Sequence, residues 1–157
     1  MIILPCFLTK SFVDRFYIGE VNFAMAASVM SREAAGRIYL EIMRTDGFTI
    51  DPVTGENYRG EGYGIAVSDS PELRKADTWF TPRRIQNWWN RKARFLIRDG
   101  YYIGGWFNDA TDEFTLDISE VIMDRETALR EGRERGEEAV YDFAHGVTIS
   151  CRTGEWL

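Results

Sequence analysis

Apolar residues recur along the chain in two rhythms. Helical spacing is plainest after Ser31, where Ala34, Ile38 and Ile42 repeat at i,i+4 with Ala35, Tyr39 and Met43 beside them. Ser31 suits the N-cap, Glu33 the acidic first turn, and Thr45-Asp46-Gly47 the end of this helix. A second helix opens at Thr81-Pro82, as N-cap and first helical residue, and runs to Gly100. The third has Asp124 as cap, Glu126 in its first turn and Gly136 as terminator. Beyond Ala128 and Leu129 its middle is polar, so most of it faces water.

The strand signal is the second rhythm. The first thirty residues mix β-branched and aromatic side chains, as in IILPCFL and FYIGEVNF, and read as strands. Pro52 to Gly55 marks a turn, and GYGIAVS a strand after it. YYIGGWF and EFTLDISEVIM flank Asn108-Asp109-Ala110-Thr111-Asp112 as an antiparallel hairpin. Gly104 and Gly105 within it predict a close backbone approach or a bulge. AVYDF and VTIS close the chain around Ala144-His145-Gly146. This order predicts one α+β domain over residues 1–157, a mostly antiparallel sheet with about three helices packed against it.

Composition narrows the setting. Apolar residues make up 45% of 157 and aromatics 14%, enough for a real core. The opening MIILPCFL is too short for a membrane span and lacks the basic start of a signal peptide. No later run approaches the ~20 apolar residues of a span. Cys6 and Cys151 make no disulfide framework, although a bridge between the chain ends stays open, and with one histidine they make no structural zinc site. The expectation is a cytoplasmic protein with no membrane association, no metal and no cofactor, open to homo-oligomerisation.

Charge is segregated. Residues 71–100 hold eight Arg or Lys against three Asp or Glu, while the remainder holds eleven against twenty-two. Within the basic run, RRIQNWWNRKARFLIR, an ideal wheel of ~100° per residue separates two faces. Ile85, Trp88, Trp89, Phe95 and Leu96 form an apolar stripe, which makes the tryptophans core residues rather than stacking platforms. Arg83, Arg84, Arg91, Arg94 and Arg98 form a ridge beside it. Lys92 falls in the middle of the stripe, either snorkelling along the tryptophans or poised for an anionic ligand. The acidic C-terminal half is the first expected partner of the ridge, ahead of another macromolecule or water.

Catalytic signals are weaker. His145 has Asp142 three residues before it and Cys151 six after, the types for a nucleophilic thiol site, but in a tight turn with no oxyanion-hole motif. Glu61, Asp109, Asp112, Asp117 and Glu120 offer carboxylates for acid–base work without a motif to place them. Asp117 stands out, because alternation turns it away from Leu116 and Ile118. The glycine-rich Gly60 to Gly64 is not GxGxxG and reads as a hairpin.

A succession of residues runs DPxTG from Asp51, GYGxAV from Gly62, GGW from Gly104, LDxSxV from Leu116, DRxxA from Asp124, GRxR from Gly132 and AxYD from Ala139. It resembles small uncharacterised proteins carried by phages and other mobile elements of bacteria, actinobacteria especially. The likeness spans roughly residues 46–150; the first forty-five residues and the basic helix depart from it. It implies an accessory protein acting in a bacterial host cell on a host or defence component, and carries over no site residue. The resulting expectation is a protein-interaction module whose surface is Arg83, Arg84, Arg91, Lys92, Arg94 and Arg98. The alternatives are a nucleic-acid binder using helix 82–98 and a small carboxylate-based hydrolase or transferase.

Overall fold

The computed structural model describes residues 29–96 and 98–157, so the strands expected before Val29 lie outside the described residues. Three α-helices occur among the described residues: α1 (Arg32–Ile42), α2 (Pro82–Arg91) and α3 (Arg125–Arg135). Seven strands form one antiparallel sheet: β1 (Gly47–Ile50), β2 (Tyr63–Ala66), β3 (Leu73–Lys75), β4 (Tyr101–Asn108), β5 (Glu113–Ile122), β6 (Ala139–Asp142) and β7 (Val147–Ser150). The fold is α+β, as the two rhythms predict.

β5 organises the sheet, whose order is β1-β4-β5-β2-β6-β7. β4 pairs with its whole length, from Tyr101 opposite Glu120 to Asn108 opposite Glu113. Its other edge is shared by β2, with Ala66 opposite Ser119, and β3, with Leu73 opposite Leu116. Where these two part, the Ile118 N–H donates to Ser70 Oγ at 2.6 Å instead of to a strand. A side chain completes the ladder where the backbone leaves it.

Alternation along β5 sends Phe114, Leu116 and Ile118 into the core with Ile103, Ile50 and the inner faces of α1 and α2. By register, Ile65 of β2 shares that face, where Val140, Ile149 and Leu129 of α3 gather around it. The helix caps are those the sequence marks. Ser31 Oγ accepts from Ala34 N–H, Thr81 Oγ1 from Arg84 N–H, and Asp124 from Thr127 N–H. Gly136 takes the left-handed φ of 78° that a terminating residue needs.

The basic helix is shorter than its pattern suggests. α2 stops at Arg91, Lys92 leaves helical geometry at φ −122°, and a 3-10 turn, Ala93–Leu96, follows. A continuous helix would aim the Lys92 ammonium into the stripe of Ile85, Trp88 and Trp89. Breaking at 92 instead leaves Lys92 exposed and buries Ala93 completely. That corrects the position in the middle of the apolar stripe that a continuous helix gives Lys92; its side chain is in water. No helix among the described residues is long and apolar enough to cross a membrane.

Candidate functional site

α2 is held by its aromatic face. Trp88 and Trp89 are buried, the Trp88 Nε1–H donates to the Pro71 carbonyl at 2.9 Å, and Gln86 Nε2 donates to the Met30 carbonyl at 2.9 Å. Burial of rings this size stabilises by about 1.5–3 kcal/mol each and fixes which side of α2 faces out. Arg83, Arg84, Arg91, Lys92 and Arg98 are exposed, whereas Arg94 is half-buried. Arg84 and Arg91 lie two turns apart on one side, about 10 Å along the axis.

For five of these six cations the expected pairing with the acidic C-terminal half is not found among the described residues. None of Arg83, Arg84, Arg91, Lys92 or Arg98 has an ion pair among the described residues. The C-terminal acids pair close to home instead: Glu120 and Glu131 hold Arg135 at 2.7 and 3.1 Å, and Glu126 meets Arg125. Among the described residues Arg32, Arg44, Arg59, Lys75, Arg133 and Arg152 also lack ion pairs but lie scattered along the chain. Closeness along the chain, not the lack of a pair, distinguishes residues 83–98.

Arg84 differs from its neighbours. Its Nη1 donates to the Trp79 carbonyl, and its guanidinium carbon lies 4.6 Å from the centre of the Trp79 ring. Lys75 Nζ approaches the same ring at 6.0 Å. Trp79 in turn meets Phe80, a core residue, at 5.6 Å and near-perpendicular planes. Neither Lys75 nor Trp79 stands out in the sequence, because the contact joins β3, a 3-10 turn (Asp77–Trp79) and α2.

The other face of the sheet holds a buried acid. Thr115, Asp117 and Ser119 alternate away from the core, and all three are buried. Ser119 Oγ donates to Asp117 Oδ1 at 2.6 Å, and the Thr115 hydroxyl has no partner among the described residues. Opposite Asp117, Gly104 supplies the space: a side chain there would strike Ser119 Oγ and Asp117 Oδ1. Burial pushes the Asp117 carboxyl up to about 6; the Ser119 bond opposes this and the charge of Glu72 adds to it. Glu137 is also raised, by burial first and then by Asp117 and Glu72. Glu72 and Glu137 share a cleft of ≈ 390 Å³ with Asp69, Glu134 and Arg135.

The other proposed carboxylates do not join Asp117. Glu61, Asp109 and Asp112 are exposed, and Glu120 points to the opposite face, bound to Arg135. Glu72 and Glu137, which do couple to Asp117, are brought in by the parting of β2 from β3 and by the end of α3. No local pattern announces them.

His145 is exposed in its turn, with Nδ1 2.8 Å from Asp142 Oδ2. Burial alone would raise the Asp142 carboxyl, but hydrogen bonds from the His145 ring and backbone and from Ala144 outweigh it and hold the group low. Cys151 is buried behind α3 and has no disulfide among the described residues, Cys6 lying outside them; burial and then Glu137 push its thiol up. A raised, covered thiol is a poor nucleophile. The thiol site is therefore not assembled. Among the described residues no group of His, Cys, Asp and Glu is arranged to hold a metal ion.

Comparison of the chain with protein-family models, with curated proteins and with solved structures finds no match.

Proposed function

We propose that the protein is an interaction module that presents the cations of α2 and the turn after it to an acidic protein surface. One observation carries this reading. Arg83, Arg84, Arg91, Lys92 and Arg98 are exposed within one run of sixteen residues and without an ion pair among the described residues, in a chain of net charge −6. A solvated basic face needs no partner, but this one is anchored through a buried aromatic stripe, and rigid placement lowers the cost of binding. The setting, a phage or mobile-element accessory protein that modulates a host or defence component in the bacterial cytoplasm, rests on the sequence resemblance alone.

Nucleic acid fits the same cations less well. Trp88 and Trp89 are buried, so they offer no platform for bases, and the overall negative charge opposes a polyphosphate. A carboxylate enzyme is supported only by Asp117, whose proposed companions lie elsewhere.

The test is affinity purification of the tagged chain from bacterial cells, with mass spectrometry, beside an Arg83→Glu/Arg91→Glu variant. Proteins recovered by the wild type and lost by the variant support the reading. Equal recovery by both would reject the surface. Retention on duplex DNA at low salt, declining steeply as salt rises, would transfer the ridge to nucleic acid.

A further inference from the structure

We infer that Arg84, braced on Trp79 and joined there by Lys75, is the anchor of this surface and receives a carboxylate from an acidic protein segment. The inference rests on the reading of the ridge as an interaction surface, and adds which residue dominates it and what it recognises.

Arg84 is already in place before any partner arrives. Its bond to the Trp79 carbonyl and its position 4.6 Å from the ring centre restrict a side chain that is otherwise costly to order. The ring is itself held against Phe80, 2% exposed. Arg83, Arg91 and Lys92 have no such brace among the described residues; each would lose its rotamer freedom on binding. Preorganised Arg and Trp are the residue types on which binding energy concentrates.

Lys75 makes the junction selective for an anion. It brings a second positive charge to the indole that already carries Arg84. Neither cation has an ion pair among the described residues to relieve their repulsion. Asp77, in the same turn, already accepts from the Thr78 N–H. A carboxylate entering beside the ring meets both charges and relieves their repulsion, and the free edge of the guanidinium can grip it with paired N–H donors. Arg84 already covers one face of the Trp79 ring, which leaves less of it for stacking a base. The occupant is therefore an acidic stretch of protein.

The probe is a fluorescein-labelled deca-glutamate peptide, followed by anisotropy at low ionic strength, with a labelled short DNA duplex for comparison. Arg84→Ala is expected to weaken peptide binding about 30-fold and Arg91→Ala about threefold or less. Bound peptide should change the Trp79 emission, read as the difference between wild type and Trp79→Phe. Arg84→Lys keeps the charge but loses the fork, and should fall between wild type and Arg84→Ala; it serves if the alanine variant does not fold. Equal losses from Arg84→Ala and Arg91→Ala would overturn the anchor. Tighter binding of the duplex than of the peptide would overturn the choice of partner. If Arg83→Glu/Arg91→Glu abolishes binding while Arg84→Ala leaves it intact, only the anchor fails. If neither variant changes binding, or the peptide does not bind, the surface fails with it.

Discussion

Replacing Asp117 by Asn removes the ionisable proton while keeping the shape of the side chain and an oxygen for Ser119 Oγ. The folded protein holds the Asp117 proton up to about pH 6, whereas an ordinary aspartate releases it near 3.8. Between those values the folded state binds one proton more than the unfolded state, so stability falls as pH rises. Below the window both states are protonated and the penalty vanishes; above it both are ionised and the penalty is complete. At about 1.4 kcal/mol per pH unit, the full penalty is on the order of 3 kcal/mol. Asp117→Asn should therefore match the wild type at about pH 3 and exceed it by about 3 kcal/mol at about pH 8. Urea denaturation of both proteins across that range measures the difference, in which most other titrations cancel. A difference that does not change with pH, or an asparagine variant that is the weaker one above pH 6, would show that Asp117 ionises normally.

Other perturbations probe the packing around the two faces. Gly132→Ala drives a methyl group into Cys151 Sγ, a strain of about 1–3 kcal/mol that opposes the ~1 kcal/mol gain in helix propensity. The change should destabilise the wild type but become neutral or favourable in a Cys151→Ala background; identical effects in both backgrounds would contradict the contact. Gly104→Ala should cost about 1–3 kcal/mol in urea, part of it recovered by adding Ser119→Ala. Thr81→Ala removes the cap of α2 and should lower stability by about 1 kcal/mol, read as a fall in Tm without a change in circular dichroism at low temperature.

Local chemistry made much of the fold legible. Ser31, Thr81, Asp124 and Gly136 mark helix ends because capping depends on residues within one turn of each other. The β4–β5 hairpin and the burial of Trp88 and Trp89 follow from short-range periodicity in the same way. The end of α2 did not, because the wheel assumes that a helix continues. Here the backbone leaves helical geometry at Lys92. Asp117 was visible as an off-core acid in LDIS, but the room it occupies comes from Gly104 across the sheet, and its charged neighbours Glu72 and Glu137 from distant segments. Of the Lys75–Trp79–Arg84 junction only Arg84 stood out in the sequence, as a ridge residue; the three lie within ten residues but belong to a strand, a 3-10 turn and a helix, and periodicity within one element does not bring them to one ring.

The most direct test of the interaction surface is the affinity of a partner recovered by the wild-type chain, measured for three proteins side by side. They are the wild type, Arg83→Glu/Arg91→Glu, and Arg130→Glu/Arg152→Glu, which changes net charge equally at exposed cations outside the ridge. The ridge variant should lose binding by at least about 100-fold while the control stays within about threefold of wild type. Equal losses in both variants would mean that only net charge matters, and unchanged binding in the ridge variant would place the interface elsewhere.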